Sequence, residues 1–257
     1  ITTKRQELQL LEFAQKQLGN AAYGAAASPW FYFFNVDLAA DITGECRFLT
    51  KYMWDRLEKW FHEDIWERKD LWEKFDFELD ESKHDWYRQQ PVSVYSDTDS
   101  VYVTYGTFFE CFTDKTKAKY DTPRKKNEWI LKYNQEFQDK QNTEWCESIY
   151  GPRHGQSVHN FELETISQAC IFLKKKKYLK ALSFYKGKFY DDPKISGTGI
   201  EIIKSTTPKL CRTILTDLTR SLVFESTGMD REEYVMYFNN KLAEYKKEFY
   251  RAPIEDI

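Results

Sequence analysis

A chain of 257 residues is long enough for one large domain or two small ones, each with its own core. With 41% hydrophobic and 17% aromatic residues, and 19 Phe, 17 Tyr and 8 Trp against 10 Gly and 7 Pro, it carries enough apolar surface to offset chain entropy, which excludes a disordered chain. A formal net charge of −3 argues against a generic polyanion binder, and neither a run of about 18 apolar residues nor a basic-then-apolar leader is present.

The first element predicted is a helix from about Lys4 to Ala22, with Leu8, Leu11 and Leu18 on one side and Tyr23-Gly24 as its stop. A second runs from about Asp37 to His62, where Ile42, Cys46, Leu49, Met53, Leu57 and Trp60 recur at three- and four-residue steps. Val92 and Val94, then Val101, Val103 and Tyr105, alternate with polar residues on either side of Ser96 to Ser100, the pattern of two strands joined by a tight turn. Thr207-Pro208 reads as an N-cap followed by Pro at the first helical position, ahead of Leu210, Ile214, Leu218 and Leu222. Asp230 and Glu233 are spaced as a capping box, ahead of the stripe Tyr234, Phe238, Leu242, Tyr245 and Phe249. These last two helices are expected to form an antiparallel pair.

Charge is unevenly spread. Asp55 to Asp85 holds twelve acidic and six basic residues, whereas Thr165 to Tyr190 holds seven Lys and no carboxylate. Cys46, Cys111, Cys146, Cys170 and Cys211 are odd in number and far apart, so neither a disulfide framework nor a zinc site is indicated, and a reducing cytoplasm fits.

Two patterns could carry chemistry. Asp97-Thr98-Asp99 lies at a strand-turn-strand corner, where two carboxylates held at fixed separation suit a hard cation such as Mg²⁺; Asp and Ser are also ordinary turn formers. Lys16, Asn20 and Tyr23 share one helix face, polar opposite the leucines, which suits a triphosphate and its sugar as well as plain solvent.

Together, and in this order, the patterns resemble family-B DNA polymerases. Lys16-Gln-Leu-Gly-Asn20-Ala-Ala-Tyr23-Gly24 matches the fingers motif K-x-x-x-N-[SA]-x-Y-G, and Tyr95-Ser-Asp97-Thr-Asp99-Ser100 matches the palm motif Y-G-D-T-D-S with Ser96 in place of Gly. Lys175-Lys-Lys-Tyr178 resembles the K-K-[RK]-Y segment. Gly199-Ile-Glu201 with Ser205-Thr-Thr-Pro208-Lys209 resembles the start of the thumb in T-even-type phage enzymes, and Glu164 falls where those enzymes carry a third palm carboxylate. Asn35 and Asp37 stand where related phage enzymes tend to have Asp and Arg, and the 257 residues contain neither a D-x-x-S-L-Y-P segment nor an exonuclease acidic motif.

The resemblance implies an α+β chain, a small antiparallel sheet with packed helices followed by a helical thumb segment. It divides the chain into the end of the fingers (1–22), palm (23–204) and partial thumb (205–257), cut from something longer or made as a split subunit. It implies deoxynucleotidyl transfer to a primer 3′-hydroxyl with two Mg²⁺ ions. Asp99 would be the direct metal ligand, and Asp97 and Glu164 would shape the field or hold a metal through water. Lys16, Asn20 and Tyr23 would face the incoming deoxynucleoside triphosphate. Lys175, Lys176, Lys177, Tyr178 and Lys204, with the rest of the lysine run, would track the primer-template duplex by phosphate contacts that read no sequence. The partners expected are DNA, nucleotide and the missing N-terminal polymerase part, with no membrane, in the cytoplasm of an infected bacterial host. A non-catalytic DNA-binding subunit of a split polymerase is the rival from another class. A metal-dependent nuclease fits the carboxylates but leaves Lys16, Asn20 and Tyr23 without a role.

Overall fold

The computed structural model describes residues 2–151, 159–200, 206–225 and 229–253. Its architecture is α+β, mostly helical, with two small antiparallel sheets. Helix α1 (Thr2–Ala27) leads through an aromatic loop to α2 (Val36–Lys59), and Asn35 caps α2 by accepting the Leu38 amide at 3.0 Å. That cap needs only a side-chain oxygen, so Asn in place of Asp keeps its chemistry. The α2 path continues through a wider turn at Trp60–Asp64 into α3 (Ile65–Glu67), followed by the short helices α4 (Lys69–Lys74) and α5 (His84–Tyr87).

Strands β1 (Ser93–Asp97) and β2 (Ser100–Val103) make the first sheet. Helices α6 (Gly106–Glu110), α7 (Asp114–Lys119), α8 (Pro123–Tyr133) and α9 (Asp139–Tyr150) then return the chain to the second sheet, in which β4 (Lys177–Tyr185) lies between β3 (Thr165–Lys174) and β5 (Lys188–Thr198). Helix α10 (Lys209–Arg220) touches β5, and Arg220 bonds Asp192 and the Pro193 carbonyl of that strand. Helix α11 (Arg231–Arg251) carries both halves of the expected Asp230/Glu233 box. The start of α10, at Lys209 and Leu210, meets the end of α11, at Lys247 and Arg251, so the pair is antiparallel.

The core is an aromatic mass between α2 and helices α4 to α9. Met53, Phe61, Ile65, Phe75, Tyr87, Phe108, Phe112 and Tyr133 are buried there. A chain of hydrogen bonds runs through it: Trp60 Nε1 donates to the Tyr133 hydroxyl (2.8 Å), which donates to Gln138 Oε1 (3.0 Å). Gln138 Nε2 donates to Asn142 (2.9 Å), and Asn142 to the Phe161 carbonyl (2.9 Å) just ahead of β3. Each member is satisfied by the next, so burial of these polar groups costs little and fixes where β3 starts.

Several expectations change. Helix α1 does not stop at Tyr23-Gly24, because Gly24 lacks the positive φ of a stop and the helix continues to Ala27. Leu8, Leu11 and Leu18, the leucines of one side of that helix, are exposed, Leu18 at 73%. Pro208, not Thr207, occupies the cap position of α10. The β1–β2 turn is shorter than the segment from Ser96 to Ser100, since Ser96 pairs with Val101 and Asp97 with Ser100. Ser96 sits in plain strand conformation and needs no glycine.

Candidate functional site

Along β1 the Tyr95 and Asp97 side chains face the second sheet while Ser96 is exposed, and a bulge between Ser93 and Tyr95 breaks the alternation before them. Tyr95 stacks on Phe172 of β3 with ring centroids 4.7 Å apart, and both contact Tyr102 and Tyr178. The Tyr102 hydroxyl donates to the Tyr178 hydroxyl oxygen at 3.0 Å. Burial, then this bond, pushes the Tyr102 phenol well above its ordinary pKa, so it stays protonated and the contact keeps its donor.

This aromatic cluster brings the turn between β3 and β4 against the acidic turn. The Lys176 amide donates to the Tyr95 hydroxyl at 2.8 Å, across 81 residues of sequence, and Lys176 Nζ lies 3.3 Å from Asp97 Oδ1. Lys174, Lys175, Lys176 and Lys177 are all exposed around that point. Gly199 braces the turn from behind: at φ +64°, a Cβ there would lie 2.3 Å from the Lys176 carbonyl oxygen.

The tip of the acidic turn is strained. Thr98 has φ +36°, unusual for a β-branched residue and costing about 1–3 kcal/mol, a kind of strain that gathers at functional sites. The Asp99 amide bonds back to the Asp97 carbonyl at 2.5 Å, so the two carboxylates leave the backbone two residues apart on a closed loop. Asp99 is exposed, whereas the Asp97 side chain is only 19% exposed and is held by Lys176 and the Thr98 hydroxyl.

Other expected site residues are not gathered here. Glu164 lies just before β3, at the end remote from the lysine turn, and its carbonyl faces the Lys186 amide. Ten strand residues, roughly 30 Å when extended, separate it from Lys174. Among the described residues no group of three or more His, Cys, Asp or Glu is placed to hold a metal. Lys16, Asn20 and Tyr23 sit on α1, exposed, and the main contact of α1 is with α2. Tyr178 is 8% exposed, so it packs the hairpin in place and offers a duplex little surface.

The lysine run is also divided. Lys186 and Lys188 flank Gly187 at the opposite end of the second sheet, and Lys180 lies over the Tyr102 and Tyr178 rings. Lys204 and Glu201 fall outside the described residues. Sequence reasoning missed Tyr95, Phe172 and Tyr102 as the cement between the two turns. Their signal was present, since Tyr95 and Tyr102 are aromatic at inward positions of paired strands. No protein-family model matches the chain, and no curated protein sequence matches it.

Proposed function

We propose that the chain supplies palm and thumb to a DNA polymerase of the family-B type, acting in template-directed transfer of deoxynucleotides to a primer 3′-hydroxyl. The observation that carries this reading is the joining of the acidic turn to the lysine turn through Tyr95 and Lys176, which sets carboxylates beside a cationic edge. A polymerase needs that pairing at the primer end, one part for metal and the other for phosphate backbone.

The residues present fit Mg²⁺ as its usual protein ligands do, one or two carboxylates with phosphates and water completing the shell. Asp99 would hold it directly, and Asp97, already shared with Lys176, would act on its field or through water. When bound, the metal supplies charge neutralisation for the reacting phosphate. Lys175, Lys176 and Lys177 attract backbone phosphates without reading bases. Lys16 offsets the charge of the triphosphate, Asn20 lies one turn from it, and Tyr23 presents a ring to the nascent pair. With Glu164 at the far end of β3, the chain alone offers two carboxylates, which favours its working with a further palm segment.

The test is single-turnover extension of a primer by the chain together with an N-terminal polymerase part carrying D-x-x-S-L-Y-P, and by the chain alone. Extension is expected only from the combination. Asp99→Asn is expected to slow it by about a hundredfold or more while DNA affinity holds, the scale of losing a group that stabilises transition-state charge, and Asp97→Asn to cost less. Extension by the chain alone, or Asp97 proving the costlier loss, would overturn these assignments.

A further inference from the structure

Helix α2 touches the acidic hairpin at both ends. At the tip, the Thr50 hydroxyl lies 2.9 Å from the Thr98 carbonyl and 2.7 Å from that of Cys46 one turn back, and Thr50 is 7% exposed. At the base, Glu58 Oε1 accepts the amides of Val92 (3.2 Å) and Ser93 (2.7 Å), while its other oxygen lies 3.5 Å from His62 Nδ1. Thr50 and Glu58 are about 12 Å apart along α2, with buried Met53 and Leu57 between them.

Thr98 is the strained residue of the hairpin, and its carbonyl is the group Thr50 holds. A β-branched residue keeps such a conformation only when its surroundings over-determine it. We infer that Thr50 is a positioning residue for the acidic turn: its hydroxyl fixes the Thr98 peptide and so sets how the Asp97 and Asp99 carboxylates diverge. The inference rests on reading the turn as metal-bearing, but its structural half stands apart from that reading. Without the hydroxyl the Thr98 carbonyl loses its bond to α2, the peptide relaxes, and the carboxylate pair loses its fixed separation.

The experiment uses the 257-residue chain labelled with ¹⁵N, as wild type, Thr50→Val and Thr50→Ser. Backbone amide signals of Thr98, Asp99 and Ser100 are followed alone and during titration with Mn²⁺, whose paramagnetism broadens nearby signals. Thr50→Val, of nearly the same shape, is expected to move the Thr98 and Asp99 signals and to require about tenfold more Mn²⁺ for equal broadening, the factor an ordinary hydrogen bond is worth. Thr50→Ser, which keeps the hydroxyl, is expected to restore both. Unmoved signals in Thr50→Val, or movement that Thr50→Ser does not restore, would overturn the inference. Failure of Mn²⁺ to broaden the wild-type turn would instead sink the metal reading, with the signal positions still deciding the role of Thr50. The Ala181 amide in the buried centre of β4 reports folding; should Thr50→Val lose it, Thr50→Ala replaces it in the same comparison.

Discussion

At the scale of single residues, Gly199 and Gly44 show how one substitution takes opposite signs. Gly199 combines a φ of +64° with a Cβ position 2.3 Å from the Lys176 carbonyl oxygen, and that obstacle is backbone, which has no flexible end to yield. Gly199→Ala should cost about 1–3 kcal/mol, the range of enforced left-handed backbone, with a steric cost added. Gly44 lies within α2, has ordinary helical φ and meets nothing within 4 Å of an added Cβ. Gly44→Ala should therefore stabilise the chain by about 0.5–1 kcal/mol through the smaller entropy loss of Ala. Urea midpoints of the two variants, taken with unchanged slopes, decide the matter; a neutral Gly199→Ala would mean that the lysine turn is not braced as described.

At the scale of elements, the lysine run is two sites. Lys174 to Lys177 border the acidic turn, while Lys186 and Lys188 lie at the other end of the same sheet. Replacing Lys175, Lys176 and Lys177 by Gln should weaken duplex binding for every sequence alike and flatten the slope of log affinity against log salt by roughly 0.9 per lost contact, about 2.7 in all. Replacing Lys186 and Lys188 should leave the slope unchanged; equal effects from both sets would return the run to a single track. This division was not legible in the sequence, because β4 has Tyr178, Leu179, Ala181, Leu182, Ser183 and Phe184 buried on both faces and so lacks the alternation that announces a strand. The helices between residues 65 and 150 were equally hidden, being short and rich in aromatics that pack in every direction. Long or capped elements were legible: α2 by its stripe, β1–β2 by alternation around the acidic turn, and α11 by Asp230 and Glu233.

Across the whole molecule, a net charge of −3 conceals a separation of duties. Four of the twelve carboxylates from Asp55 to Asp85 are held in ion pairs: Asp70 with Arg68, Glu81 with Lys69, Glu63 with Arg88 and Asp76 with Lys119. The Arg68 guanidinium holds the Asp70 carboxyl below its ordinary pKa. That block is paired only in part and keeps a net negative charge, whereas Lys174, Lys175 and Lys177 near Asp97 and Lys16 on α1 are exposed. The two regions are linked through α1 and α2: the Asn35 amide at the start of α2 bonds the Ala26 carbonyl at the end of α1, and Thr50, further along α2, holds the acidic turn. On the polymerase reading, Lys16 would serve the nucleotide rather than the duplex. In a reconstituted enzyme, Lys16→Ala should raise the apparent nucleotide dissociation constant and slow incorporation, together by about ten- to a hundredfold in kcat/KM, the worth of one hydrogen bond to a charged group. Primer-template affinity should stay within experimental error. A nuclease has no use for Lys16, and a plain DNA-binding subunit would lose duplex affinity on its removal. If Lys16→Ala leaves nucleotide binding and incorporation as before, α1 is not a nucleotide-facing helix, and the polymerase reading keeps only the acidic and lysine turns in its support.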